Sequence, residues 1–418
     1  MRSERRVVVT GMGSVTSLGN SLQATWEGLL AGRSGIVRMA ELDDQPDYRC
    51  RIMGTVKDFD ISALLSPKEQ QRLDTYCLYA LAAADEAIRQ SGLKTGENLD
   101  PKRGGVMVST GIGGLGTATA QLQRLAEKGP RMVSPLTIPM LIPDMAAGAI
   151  SIRYDMRGPN FGIVSACTTG LHAIGEASWV ICRGDADAML AGGAENTNVL
   201  LGMAGFSAMH ALSTDNDNPE GACRPFDATR NGFVAGSGAG VLVLEELEHA
   251  LKRGAPILAE VSGYGATGDA YHITAPREDG SAAADAIATA LAHAELPAEA
   301  IGYVNAHGTG THMNDVVETR ALKLAFGDYA HRLPVSSTKS MTGHTLGAAG
   351  GVESTVCIKA LQEGVAPGTR NLNTPDPECD LDYMPNAARE LPGLRHVLKL
   401  NMGFGGHNAA VIYSKYQG

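Results

Sequence analysis

The stretch Phe161-Gly-Ile-Val-Ser-Ala-Cys-Thr-Thr-Gly170 decides how this chain is read. Gly162 to Ala166 has the pattern of a short buried strand and Leu171 to Cys182 that of a helix, so Cys167 falls on the turn between them. A helix start carries about half a positive charge and unpaired N–H groups, which predicts a thiol drawn below the ordinary value of ~8.5. A lone cysteine is otherwise a small buried hydrophobe. The reading therefore depends on what else the chain delivers to it.

Two further strand ends supply it. In Tyr303-Val-Asn-Ala-His-Gly-Thr-Gly-Thr311 an apolar strand ends in His307 ahead of a glycine and threonine loop. In Leu333-Pro-Val-Ser-Ser-Thr-Lys-Ser-Met-Thr-Gly-His344 another runs into Lys339 and His344. Imidazole is the side chain best suited to donate or accept a proton near neutrality. An elbow cysteine beside histidines is the equipment of covalent acyl transfer.

These segments, with Val8-Val-Thr-Gly-Met-Gly13, Ala191-Gly-Gly-Ala-Glu195, Arg224-Pro-Phe-Asp227, Asp269-Ala-Tyr-His-Ile-Thr274 and Gly403-Phe-Gly-Gly406, resemble the β-ketoacyl-[acyl carrier protein] synthases of the elongating, FabF-like (KAS II) kind over nearly the whole chain. The resemblance implies the thiolase fold, in which two superposable βαβ-rich halves stack as α-β-α-β-α layers. It implies an acyltransferase without a free cofactor, working on malonyl and acyl thioesters carried on the phosphopantetheine of an acyl carrier protein. Cys167 would take the acyl chain, and His307 and His344 would stabilise the enolate left when malonyl loses CO2. The N–H groups of Cys167 and Phe404 would form the oxyanion hole, with Phe404 also gating the acyl channel. Lys339 would tune His344, Glu353 would join the same polar network beside the substrate, and Thr309, Thr311 and Thr274 would line the pantetheine path. A homodimer, or a heterodimer with a chain-length-factor-like subunit, is implied as well.

Composition agrees with a layered protein. The 418 residues exceed one ordinary hydrophobic core. With 44% hydrophobic but only 5% aromatic residues and 51 glycines, closely packed backbones are expected. A net charge of −10 argues against nucleic acid and anionic membrane surfaces as main partners. A carrier-protein patch needs only local cations, and Lys68 with Arg72, and Lys128 with Arg131, are the candidates, although Glu69 and Glu127 stand among them. Seven cysteines without CxxC pairs or metal-ligand spacing point to a reducing cytoplasm and to no metal site. The apolar run after Met1-Arg-Ser-Glu-Arg-Arg is too short for a signal peptide, and no segment approaches a membrane span.

Short β-branched stretches alternate with longer helical ones, which predicts mainly parallel sheets flanked by helices. Glu69–Gln90 reads as one helix. Lys252-Arg-Gly-Ala-Pro256 is the best boundary, dividing a cysteine half, residues 1–255, from a His-Lys-His half, residues 256–418, with no literal repeat between them. Gly111-Ile-Gly-Gly-Leu-Gly116 matches the dinucleotide-binding fingerprint, but no acidic residue follows at the expected distance of ~20 residues.

Leu400-Asn401-Met402 departs from the Asn-Ser-Phe common before the glycine-rich gate, which leaves room for a different acyl pocket. The alternative function is therefore a ketosynthase subunit of a type II polyketide or polyene pathway. A non-catalytic carrier-binding subunit is disfavoured by the retained nucleophile. A coenzyme A thiolase is disfavoured by the absence of a cysteine near the C-terminus, the last being Cys379.

Overall fold

A computed structural model describes residues 5–418; the first residues of the N-terminal reading, 1–4, lie outside the described residues. Nine strands make the large sheet: β1 (Val7–Val15), β2 (Gly104–Ser109), β3 (Ala188–Glu195), β4 (Gly238–Glu246), β5 (Ala259–Gly268), β6 (Tyr303–Asn305), β7 (Val335–Ser336), β8 (His396–Gly403) and β9 (His407–Ser414). Their order is β2-β3-β4-β1-β5-β9-β8-β6-β7. Read inward from one edge, β2 runs parallel to β3, then β3 to β4 and β4 to β1 are antiparallel. Read inward from the other, β6 runs parallel to β8, then β8 to β9 and β9 to β5 are antiparallel. β7 lies parallel outside β6, and a single parallel bridge, Val106 to Asn160, occupies the matching place outside β2. The two series meet where Val8 and Val9 of β1 pair with Glu260 and Ala259 of β5.

The principal helices are α1 (Thr75–Ser91), α2 (Thr169–Cys182), α3 (Ser281–Ala294), α4 (His312–Phe326) and α5 (Ala349–Glu363). α1 covers β1 and β4 from one side, and α3 covers β5 and β9 from the other, with α4 packed on α3. α2 and α5 pack on each other and lie between the two halves of the sheet. This is the α-β-α-β-α layering of the thiolase fold. The central layer is thin because its contacts are backbone to backbone. A Cβ on Gly193 would lie 2.2 Å from Gly347 O, and one on Gly351 2.1 Å from Gly240 O.

Glycine sets the outer layers too. A Cβ on Gly11 or Gly13 would lie 2.0 or 1.9 Å from Ala87 O or Ala83 O of α1. At Gly263 and Gly265 the same atom would lie 2.2 and 2.0 Å from Ala290 O and Ala286 O of α3. Val9-Thr-Gly-Met-Gly13 and Val261-Ser-Gly-Tyr-Gly265 are therefore one packing device used twice, a short repeat that the sequence reading did not find.

Three expectations are corrected. The sheet is mixed, because the strands at the centre of each half run antiparallel and β8 returns directly into β9 through the glycine-rich turn rather than by a crossover helix. Gly162 to Ala166 is not a strand: its Ile163 N–H goes to Ser109 Oγ at 3.0 Å and its Ser165 N–H to Thr169 Oγ1 at 2.9 Å, so side chains replace a ladder. The helix expected over Glu69–Gln90 breaks into Pro67–Gln70 and α1. Asp74 caps the second piece, accepting from Tyr76 N–H at 3.4 Å, while its other oxygen accepts from Thr117 N–H at 3.0 Å.

Candidate active site

Two matching elbows build the site. Ala166, with φ +51°, opens the 3-10 turn Ala166–Thr168 that leads into α2; Leu346, with φ +46°, opens the turn Leu346–Ala348 that leads into α5. A non-glycine residue held in this region costs about 1–3 kcal/mol and persists only where its surroundings over-determine it. In the first elbow the turn carries Cys167, in the second Gly347. Glu195, at the end of β3, ties the second elbow to the loop that follows β2, accepting from Gly347 N–H at 3.0 Å and from Gly111 N–H at 2.8 Å, with Thr110 Oγ1 as a third donor. Burial pushes its carboxyl up to about 7 against those donors.

Cys167, His307, His344, Phe404, Thr274, Thr309 and Thr311 all line one cavity of about 470 Å³, with Phe233, Leu346 and Met402 supplying apolar wall. Thr309 and Thr311 sit 3.0 Å apart through their hydroxyls. His307 follows β6, and its N–H donates to Glu318 Oε1 at 2.6 Å while Gly308 N–H takes the other carboxylate oxygen at 2.7 Å. Burial raises the Glu318 carboxyl to about 7. The His307 and His344 rings meet edge to face with centroids 5.3 Å apart, and Phe233 stands edge-on to His344 at 5.5 Å.

Burial holds both imidazoles well below their ordinary value, and the charge of Lys339 pushes the same way, so both are neutral near pH 7. Asn401 Nδ2 donates to His307 Nδ1 at 3.1 Å, which makes Nδ1 the acceptor and leaves Nε2 as the N–H. The thiol departs from the sequence expectation. It sits inside the 3-10 turn, buried, and burial pushes it up to about 12 despite the pull of Lys339 and of the N–H groups of Phe404 and Cys167, both of which face the sulfur. Desolvation outweighs the helix start.

Lys339 and Glu353 lie behind the cavity rather than on it. Lys339 Nζ is 2.5 Å from Glu353 Oε1, and both residues are buried. Glu353 is thus in the polar network without lining the cavity. The sequence reading missed the other members of that network. Lys399, wholly buried on β8, lies 2.7 Å from Glu353 Oε2, and Asn401 was noted only as a departure from a common pattern. A cation inside the apolar run His396-Val-Leu-Lys-Leu-Asn-Met402 was the available signal. Glu318 gave none, standing on α4 among ordinary helix polar residues.

Lys68, Arg72, Lys128 and Arg131 are exposed and away from the cavity. The acids beside them are otherwise engaged: Glu69 Oε2 accepts from Ser66 N–H at 2.8 Å in a capping box, and Glu127 accepts from Gln123 at 2.8 Å. The glycine-rich Gly111–Gly116 loop is no phosphate cradle, since the Gly111, Gly113 and Gly114 N–H groups go to Glu195, Thr110 Oγ1 and Leu141 O.

A thiol facing two amide N–H groups can hold an acyl chain as a thioester, and neutral imidazoles across the same cavity can hold an enolate oxygen, so fold and site together define a carbon–carbon condensing acyltransferase. Family models agree: the beta-ketoacyl synthase N-terminal domain matches residues 4–250 and the beta-ketoacyl synthase C-terminal domain residues 258–373, so the chain belongs to the β-ketoacyl synthase family. It is 48% identical over 414 residues to 3-oxoacyl-[acyl-carrier-protein] synthase 2 of Vibrio cholerae, covering 99% of this chain and 100% of that one. Among solved structures, a beta-ketoacyl synthase from Burkholderia phymatum is 36% identical with a TM-score of 0.90, covering 99% of this chain and 100% of that one. A ketosynthase solved with its type II polyketide acyl carrier protein, and bound to the hexaketide, is 34% identical with a TM-score of 0.92 over the same shares.

Proposed function

We propose that the protein elongates fatty acyl chains by decarboxylating Claisen condensation, giving 3-oxoacyl-acyl carrier protein. One observation carries the residue roles: Cys167, His307 and His344 share one cavity in which both imidazoles are neutral. Cys167 Sγ attacks the acyl thioester carbonyl, the C–S bond to the pantetheine breaks, and the thiol proton leaves with the carrier's sulfur. Malonyl thioester then fills the cavity and its carboxylate departs as CO2. The electron pair enters an enolate whose oxygen accepts from His307 Nε2–H and from His344. The carbanion attacks the acyl-enzyme carbonyl, whose oxyanion sits in the Cys167 and Phe404 N–H pair, and collapse returns the cysteine thiolate and a chain longer by two carbons. Thr274, Thr309 and Thr311 hold the pantetheine arm, Lys339 and Glu353 set the field behind His344, and Lys68, Arg72, Lys128 and Arg131 receive the acidic carrier.

The same reading takes residues 1–255 and 256–418 as the two functional halves and the assembly as a homodimer in the cytoplasm. Phe161 and Val164, exposed on the segment outside β2, support pairing with a second copy across that edge. The free thiols of Cys50, Cys77, Cys223, Cys357 and Cys379 support a reducing compartment. The likeness to the polyketide ketosynthase supports a second reading, a type II polyketide or polyene subunit with a chain-length-factor partner, which leaves the chemistry unchanged. Incubating wild type and Cys167→Ala with saturated and polyene acyl carriers plus malonyl carrier, and weighing enzyme and products, tests both. An adduct on wild type alone and a 3-oxo product are expected; no adduct with any chain would overturn the homomeric enzyme.

A further inference from the structure

Lys399 is a fully buried charged group that the reaction does not use. Its Nζ lies 2.7 Å from Leu400 O, 3.0 Å from Ala306 O, 3.2 Å from Asn305 O and 2.7 Å from Glu353 Oε2. Four oxygens around one ammonium leave no donor free for substrate, and the residue has no exposed surface. What it holds matters. Ala306 immediately precedes His307, and Leu400 immediately precedes Asn401, whose amide fixes the tautomer of His307. The fourth oxygen belongs to the carboxylate that also binds Lys339 Nζ. One ammonium thus ties the backbone on both sides of the His307–Asn401 bond to the ion pair behind His344.

We propose that Lys399 is a positioning residue for the decarboxylating half of the reaction, fixing His307 Nε2–H and His344 toward a common enolate oxygen, and that it takes no part in acyl transfer to Cys167. The inference rests on the reaction proposed above. It has a charge requirement, since a neutral amine has two protons for three carbonyls and no charge to set against the Glu353 carboxylate. Burial lowers Lys399 to about 8, opposed by Glu353; Lys339, Cys357, Glu318, His307 and His344 are the other titratable groups that face it.

The test separates the two steps. Wild type, Lys399→Met and Lys399→Ala are each given an acyl carrier thioester, and the rate of acyl adduct formation on Cys167 is read by intact mass. The pre-acylated proteins are then mixed with malonyl carrier, and CO2 release and 3-oxo product are followed in single turnover. Adduct formation within about threefold of wild type is expected for both variants, with condensation slower by about tenfold to a hundredfold, the cost of misplacing a donor by a fraction of a bond length. Wild-type condensation is expected to fall as pH rises through 8, and the Met variant to lack that limb. Ammonium ion is expected to restore condensation to Lys399→Ala, because the vacated space keeps its carbonyl and carboxylate rim. Condensation at wild-type rate in the variants, or equal loss at both steps without ammonium rescue, would overturn the proposal. Wild-type acylation is the control on the reaction itself, and the ratio of the two steps in the variants reports on Lys399.

Discussion

At the scale of single residues, the thiol and the imidazoles are tuned by the same cause in ways that suit different steps. Desolvation keeps His307 and His344 neutral, as their proposed role of donors to an enolate requires, and it keeps Cys167 protonated in the resting site. Alkylation of Cys167 by iodoacetamide is therefore expected to climb about tenfold per pH unit from pH 7 to 9, following the thiolate fraction, without levelling. A plateau by pH 8, read by mass of the labelled peptide, would mean a depressed thiol instead. Cys167, His307 and His344 were legible in the sequence because each sits where a strand pattern gives way to small residues. Lys399 showed only as a cation in an apolar run and Glu318 not at all, because the role of a buried titratable side chain is recognisable only from its partner. Glu353 and two of the three carbonyls that hold Lys399 lie on other segments of the chain, and Glu318 is engaged by the backbone rather than by a side chain.

At the scale of elements, the turn Phe404–Gly406 between β8 and β9 is the part of the site most dependent on glycine. Gly405 and Gly406 have φ of +86° and +75°. A Cβ on Gly406 would lie 2.6 Å from Asp269 Cβ, and Asp269 N–H donates back to Gly406 O at 2.9 Å. Gly406→Ala is expected to shift Phe404 N–H away from the sulfur, slowing acyl adduct formation by about a hundredfold, the usual cost of one oxyanion donor. It should lower stability by only about 1–3 kcal/mol. Stopped-flow acylation beside a thermal melt distinguishes this from general unfolding. Gly351→Ala is the contrast: its Cβ would meet the Gly240 carbonyl between two layers that have no free face to yield. Loss of soluble protein is expected there, measured as recovered yield. Element types were largely readable from pattern, as with α2 and α5. The segment 162–166 was misread because apolar composition cannot say whether a neighbouring strand is present.

At the scale of the whole molecule, the fold is one βα layer motif built twice and joined at β1 and β5, with unequal use of its two elbows. One carries Cys167 and the other Gly347, and the carboxyl of Glu195 pins the second elbow to the loop after β2 through the N–H groups of Gly347 and Gly111. The doubling was almost invisible in the sequence because it survives mainly as hydrogen-bond topology and as glycines facing helix carbonyls, both of which tolerate wide changes of side chain. The joint has a thermodynamic signature. Glu195 titrates near 4.5 when exposed and about 7 in the fold. Between those values the folded state holds a proton that the unfolded state has released, so stability is highest on the acid side and falls as pH rises, levelling above 7. The full interval corresponds to about 3 kcal/mol. Glu195→Gln cannot titrate, so wild type is expected to lose stability relative to the variant between pH 5 and 7.5, measured as the difference in urea midpoints. A difference independent of pH would mean that Glu195 stays ionised throughout, and that the Gly347 elbow and the Gly111 loop are bridged by a carboxylate rather than by a carboxylic acid.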